Sequence, residues 1–316
     1  MISTLSSPDS RTALITGAGG QSGYWLGQEL EASGRRVVRA SGGGGDVSLP
    51  FDDGDGIRAV LEACRPDEIY HLACPSQLQD TARFERDVFQ MSVDTVLVFL
   101  RWIEEHSQKT RFFFAGSSEI FGLPRVTPQD ESTEPSPTHP YAFAKLAGQH
   151  LVRYFREGKG VFAVTGILYN HESHLRRADF VSKRIVSGVA AIVTGRESLL
   201  ELGNLKAVRD WTHASDFAKG FRMSLEAGRP GDYVFASGRG RTVEDFCRVA
   251  FESVDLDFRD YVRESSRLFR SDSSLPRVGD IHRAQGELGW TPRRVFEEWV
   301  GEMVEMEITR QRELRE

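Results

Sequence analysis

The 316-residue chain is 40% hydrophobic and 27% charged, enough apolar material for a large core shared between two lobes. A net charge of -6 argues against nonspecific binding to nucleic acid or to an anionic membrane surface, although a phosphate-bearing ligand needs only local cations. Cys64, Cys74 and Cys247 are odd in number and lack metal-ligand spacing, so the sequence supports neither a disulfide framework nor a metal site and points to a reducing, cytoplasmic compartment. No run reaches the roughly 18 apolar residues of a membrane helix, and Met1 to Arg11 reads as a short disordered lead-in.

Taken in chain order, Thr12 to Thr16 predicts a buried strand, followed by a glycine loop and a helix from Tyr24 to Ser33 that Gly34 ends. Strands at Val37 to Ala40, Glu68 to Ala73 and Arg111 to Ala115 alternate with helices at Ile57 to Cys64 and Val93 to Glu105. A helix after Tyr141 reaching about Glu157 and a strand at Phe162 to Leu168 continue the pattern. That alternation predicts an α/β fold, a Rossmann-like, doubly wound parallel sheet. Beyond it the pattern becomes irregular, as expected of a smaller, interleaved C-terminal substrate-binding lobe, closed by GELGWTP and a helix near Val295 to Ile308. We therefore expect a dinucleotide-binding domain over 1–168 with a return segment near 210–236, and a substrate lobe from 169–209 and 237–316.

The loop TGAGGQSG spaces Gly17, Gly20 and Gly23 between strand and helix, so that backbone amides at the helix start, including that of Gln21, can face a pyrophosphate. The second strand ends Arg39, Ala40, Ser41, without the acid that would bind a ribose 2′-hydroxyl and repel a 2′-phosphate. This leans toward NADP over NAD. Arg39 could meet the phosphate or remain a solvated strand residue, and Asp46 could meet the adenine or simply serve a turn.

In PYAFAK, Tyr141 and Lys145 lie four residues apart behind Pro140, on one helix face. A lysine charge near a phenol favours the phenolate, so Tyr141 could take an alcohol proton while hydride leaves the same carbon. Ser117, Ser118 and Glu119 follow the strand RFFFA at its carboxyl end, where open parallel sheets place ligands. Ser117 could bond the reacting hydroxyl. A glutamate at that mouth is costly to desolvate and suits a general base, against the alternative of a solvated loop carboxylate.

The segments TGAGGQSG, AGSSEIFG, PYAFAK, GILYNHES, DFVSKRI, LGNLKAVRDWTH and GELGWTP, in this order across almost the whole chain, resemble the GDP-mannose 4,6-dehydratase group of extended short-chain dehydrogenases. The resemblance implies NADP that is reduced and regenerated within one turnover. Tyr141 would take the C4 hydroxyl proton as hydride leaves C4, Glu119 would remove the C5 proton, water would leave from C6 and the hydride would return there. It further implies Ser118 beside the sugar, Asn170 at the sugar diphosphate, Val181 and Arg184 at the nucleotide, and Arg209 and Arg270 at the diphosphate. It also implies a homodimer or homotetramer.

Three departures accompany the match. The arginine- and serine-rich stretch after the second strand is reduced to Ser41 and four glycines, Ala73 to Gln77 lacks the usual histidine, and Ser271 to Ser273 replaces a segment bearing a carboxylate. A GDP-4-keto-6-deoxymannose reductase using NADPH, a C4 epimerase and a noncatalytic dinucleotide-binding sensor or scaffold are the competing readings.

Overall fold

The computed structural model describes residues 11–42, 45–75, 82–268 and 276–314. All of the expected lead-in but Arg11, and the middle of the glycine run after Ser41, lie outside these. The first half contains β1 (Thr12–Thr16), α1 (Gln21–Ala32), β2 (Arg36–Ser41), β3 (Val47–Ser48), α2 (Gly54–Cys64) and β4 (Glu68–His71). Next, α3 (Ala82–Phe89) runs through a wide π turn at Gln90–Asp94 into α4 (Thr95–His106), followed by β5 (Arg111–Ala115), α5 (Pro140–Lys159) and β6 (Ala163–Leu168). The second half contains β7 (Asn170–Glu172), α6 (Val181–Val193), β8 (Leu200–Leu202), β9 (Val208–His213), α7 (Ala214–Glu226), β10 (Asp232–Phe235) and β11 (Gly240–Thr242). It ends with α8 (Val243–Glu252), α9 (Phe258–Tyr261), β12 (Val262–Glu264) and α10 (Phe296–Glu313).

Seven strands form one sheet in the order β3-β2-β1-β4-β5-β6-β10, every neighbouring pair parallel. The predicted doubly wound sheet is therefore present. Its strands read as continuous apolar runs because both faces are covered. In β5, Phe113 packs with α1 and α7 on one side, while Phe112 and Phe114 pack with α2 and α4 on the other. A third cluster joins α6, α8, α10 and β8 around Trp211, Phe246 and Trp299. A smaller sheet, β11-β9-β7, grows out of the segment that directly follows β6.

Several predicted boundaries differ: α1 begins at Gln21 instead of Tyr24, α2 at Gly54 instead of Ile57, and α10 runs on to Glu313 instead of ending near Ile308; two further differences have a visible cause. β4 ends at His71 instead of Ala73, because the N–H of Ala73 turns to the Thr16 hydroxyl at 3.2 Å as the chain crosses the glycine loop. The helix expected from Val93 begins its α-helical hydrogen bonding at Thr95, after the π turn, where Gln90 and Thr95 both donate to the Phe51 carbonyl. GELGWTP docks on α7: Trp290 Nε1 donates to the Asp216 carbonyl at 2.8 Å, and the Asp216 carboxylate accepts the N–H groups of Arg293 and Arg294.

α5 is anchored from two sides. Beside the π turn, a Cβ on Gly148 would fall 2.4 Å from the Ser92 carbonyl oxygen, so only glycine allows this approach. On the sheet side, the buried Asp232 of β10 accepts from Gln149, Arg153 and Arg156 at 3.2, 3.0 and 2.8 Å. Burial opposes ionisation of Asp232, but Arg156, Arg153 and Gln149 outweigh it and hold the carboxyl below its ordinary range. The stability gained is present above the unfolded-state pKa and is lost as pH falls through the lower folded-state value. Asp232→Asn should lose about 2 kcal/mol at neutral pH, discounted from the cost of breaking a fully buried pair because Arg153 is half exposed. Urea denaturation at neutral and strongly acidic pH checks this: the difference between the proteins should shrink in acid, and equal stability at neutral pH would contradict it.

Candidate active site

The glycine loop forms a cradle that side chains would fill. Gly17 has φ +71°, and a Cβ there would lie 2.8 Å from the Ala73 nitrogen; one on Gly23 would lie 2.5 Å from the Gly17 oxygen. Gly20 is the N-cap of α1, without a side-chain cap, and the first turn has no acidic residue. Unsatisfied N–H groups and the positive helix end therefore fit a pyrophosphate. The Gln21 side chain is engaged elsewhere, donating to the His171 carbonyl at 2.7 Å and accepting from the Ser173 hydroxyl at 2.8 Å. Any cofactor contact from Gln21 must therefore come from its main chain.

At the end of β2, Arg39 pairs with Glu31 at 2.7 Å. Asp46 accepts the Arg39 backbone N–H at 2.9 Å and returns its own N–H to the Arg39 carbonyl, which is a turn role. The buried Ser41 hydroxyl has no hydrogen-bond partner among the described residues, leaving a polar atom for a ligand. Gly23→Ala should weaken dinucleotide binding by at least about tenfold, because the added methyl must displace the loop backbone. Titration calorimetry checks this, and unchanged affinity would contradict it.

The reactive cluster forms where β5 meets α5. Lys145, 3% exposed, donates from Nζ to the Ala115 carbonyl at 2.8 Å and sits 5.6 Å from the centre of the Tyr141 ring. Ser117 caps the short helical turn Ser118–Phe121, accepting the Glu119 N–H at 3.2 Å, and lies beside the Tyr141 phenol. Ser118 is buried beside it. The sequence spacing leads one to expect that Lys145 draws Tyr141 toward the phenolate, and here the structure corrects it. Burial, with the neighbouring Cys74 thiol and the Glu119 charge, raises the phenol above its ordinary pKa, against the lowering effects of the Ser117 hydroxyl and the Arg176 charge.

Glu119 is not a freely solvated loop carboxylate. Burial pushes its pKa up, but the His139 hydrogen bond and the Arg277 charge and hydrogen bond outweigh that and hold it at about 2. His139 Nε2 lies 3.1 Å and Arg277 Nη1 2.6 Å from the same oxygen, Oε2.

On the substrate side, the NHES residues divide their tasks. Asn170 is half-buried at the start of β7. His171 is held between the Ser22 hydroxyl at 2.8 Å and the Tyr169 carbonyl at 2.9 Å; burial, then the Arg176 charge, lower its pKa to about 4, so it is neutral. Glu172, fully buried, accepts from Ser182 at 2.7 Å and pairs with Arg176 at 3.0 Å. Val181 opens α6, Arg184 is exposed one turn along, and Arg209 lies half-buried on β9, with Nη1 donating to the Val208 carbonyl at 2.8 Å. Arg270 lies outside the described residues.

Sequence reasoning missed His139, Arg176 and Arg277, together with Cys74 as a neighbour of Tyr141. Only His139 carried a signal, as a polar residue immediately before the helix-starting Pro140. Among the described residues, no helix is long and apolar enough to cross a membrane, and no group of three or more His, Cys, Asp or Glu side chains could hold a metal ion.

Residues 47–303 match the model of the family described as GDP-mannose 4,6 dehydratase. The chain is 32% identical to GDP-mannose 4,6 dehydratase 2 of Arabidopsis thaliana, covering 94% of this chain and 87% of that one. It is 31% identical to the GDP-mannose 4,6-dehydratase of Vibrio cholerae, covering 93% of each. Among solved structures it resembles RMD from Pseudomonas aeruginosa complexed with NADPH, with a TM-score of 0.83, 19% identity and coverage of 95% of this chain and 98% of that one. It also resembles the dTDP-glucose 4,6-dehydratase of Bacillus anthracis in complex with NAD, with a TM-score of 0.82, 16% identity and coverage of 96% and 98%. At these identities the two solved structures speak for the fold.

Proposed function

This chain belongs to the GDP-mannose 4,6-dehydratase family, and from that premise we propose how its own residues divide the work of a nucleotide-sugar 4,6-dehydratase acting on a GDP-hexose. A bound nicotinamide dinucleotide supplies the acceptor for the C4 hydride and the source of the hydride that returns to C6. Tyr141 acts after losing its own phenolic proton to solvent: as the phenolate, favoured by the Lys145 ammonium behind the ring and by the positive charge that a bound oxidised nicotinamide would bring, it takes the C4 hydroxyl proton, with Ser117 beside it. The resulting C4 ketone acidifies the C5 hydrogen, and Glu119 removes it. Water then leaves from C6, and the product is a GDP-4-keto-6-deoxyhexose. The observation that carries this reading is the placement of an ionised, partly buried carboxylate at the same carboxyl end of β5 as Ser117, with Tyr141 facing it from α5. A plain alcohol dehydrogenase has no use for that second base.

The remaining binding assignments are part of the same proposal. Asn170, Arg209 and Arg270 serve the diphosphate, Val181 and Arg184 the nucleotide, and Ser118 the sugar. Planar guanidinium forks suit phosphate oxygens, which is why two of the three diphosphate contacts are arginines. NADP is the preferred cofactor, with Arg39, on exchanging its Glu31 partner, and the unpartnered Ser41 hydroxyl meeting the 2′-phosphate in place of the shortened loop. The protein acts in the cytoplasm as at least a homodimer. Phe143 and Tyr154 on α5, with Leu97 on the adjoining α4, expose 47%, 53% and 38% of their surface, a face suited to a second copy.

Incubation with GDP-mannose and NADP in heavy water, followed by mass spectrometry, tests the reading: the nucleotide sugar should lose one water and gain one deuterium at C5. Turnover only of a 4-keto sugar with NADPH would favour a reductase instead. Glu119→Gln should bind cofactor normally yet lower product formation by about a hundredfold or more, in keeping with loss of a general base. Tyr141→Phe should instead block the first oxidation, so no reduced cofactor appears in a single turnover. Wild-type product formation by Glu119→Gln would remove its assigned role.

A further inference from the structure

The contacts to Glu119 are made by two groups that are themselves immobilised. His139 is the N-cap of α5: its Nδ1 accepts the Ala142 N–H at 3.3 Å, which leaves the ring proton on Nε2, the nitrogen 3.1 Å from Glu119 Oε2. The helix cap thus sets the tautomer that donates to the carboxylate. Arg277 reaches the same oxygen from a segment locked to the buried Gln129. Gln129 donates from its side chain to the Pro276 carbonyl at 3.1 Å and accepts the Val278 N–H at 3.1 Å, and its backbone N–H donates to the Val278 carbonyl at 2.8 Å. One residue further on, the Gly279 N–H is held by Asp210 at 3.2 Å.

We propose that Arg277 and His139 are positioning residues for Glu119: by holding Oε2 at 2.6 and 3.1 Å they present the other carboxylate oxygen, Oε1, to the C5–H bond of the sugar. This rests on Glu119 being the C5 base. Tyr141 from α5 also faces Glu119, with an interaction between their charges, and Ser117 holds the Glu119 N–H, so the carboxylate is oriented from backbone and side chain alike. The arrangement has a chemical consequence. As the C5–H bond breaks, its electron pair moves toward the C4 ketone and the proton goes to Oε1. The pair then returns to form C5=C6 as the C6–O bond breaks, and the departing hydroxide takes that proton as water. The guanidinium charge that eases release of this proton to the leaving group also weakens the carboxylate as a base, so the gain from Arg277 and His139 at the C5 step comes from orientation.

The test compares wild type with Arg277→Met, Arg277→Lys and His139→Asn, the last keeping a good N-cap while removing the imidazole. Deuterium entry at C5 from heavy water with GDP-mannose and NADP is followed against pH, with kcat and KM, and the Glu119 carboxyl is titrated by NMR against a Glu119→Gln reference. Wild type should show a carboxyl near its held value of about 2 and no Glu119 acid limb in the accessible range. Arg277→Met should raise both the carboxyl titration and the acid limb toward the ordinary glutamate value of about 4. Its kcat should fall about tenfold with KM little changed, as lost orientation predicts. Arg277→Lys should keep the low acid limb with a smaller loss in kcat, and His139→Asn should lower kcat with a partial rise in the limb.

Wild-type titration and kcat in Arg277→Met would overturn the proposal. So would a rise in KM alone, which would make Arg277 a substrate anchor. If Arg277→Met fails to fold, wild-type titration and kcat in both other variants would overturn it equally. The NMR titration reads the clamp without turnover, so an inactive wild type would count against the substrate assignment while the clamp is judged separately.

Discussion

The hydrogen bond from Lys145 to the carbonyl of Ala115 joins the two elements that carry the proposed chemistry. It pins α5 to the carboxyl end of β5, and because Tyr141 lies one helical turn before Lys145, it also sets the phenol against Ser117. The turn that begins at Ser117 then carries Glu119 into the same space. Loosening that one bond would move Tyr141 and Glu119, the two proposed proton acceptors, relative to each other. The Asp232 network and the glycine contact at Ser92 keep α5 from shifting along the sheet, so the bond has a fixed partner.

A second constraint ties the two lobes. The strand after β6 leaves the main sheet at Tyr169, and His171 and Ser173 immediately bond Ser22 and Gln21 at the start of α1. The helix whose N-terminus suits a pyrophosphate is therefore braced by the segment that carries Asn170. Glu172, pointing the other way, connects to Ser182 on the first turn of α6 and to Arg176, whose charge reaches Tyr141 and His171. The order of residues in NHES thus follows from geometry: alternate side chains serve the cofactor helix and the second lobe.

Much of this was legible in the sequence, for identifiable reasons. The alternation of apolar strands and amphipathic helices follows from burial on both sheet faces, and the glycine spacing from contacts that leave no room for a Cβ. Tyr141, Lys145, Ser117 and Glu119 could be grouped because each lies at a strand end or on one helix face. The partners of Glu119 could not. His139 is a single polar residue before a proline, and Arg277 sits in an irregular segment whose position depends on a buried glutamine far away in the chain. Neither belongs to a periodic pattern. The phenol of Tyr141 was misjudged because sequence spacing supplies the nearby lysine but not the burial, the Cys74 neighbour or the Glu119 charge that oppose ionisation.

One active site, on this reading, oxidises C4, abstracts the C5 proton and reduces C6 in sequence on a nucleotide-linked hexose. The most direct measurement is to supply GDP-mannose deuterated at C4 with a catalytic amount of NADP and to locate the label by NMR. The deuterium should be recovered at C6 of the 4-keto-6-deoxy product, with no net reduced cofactor. Accumulation of labelled NADPH, with no label at C6, would contradict the internal return of the hydride.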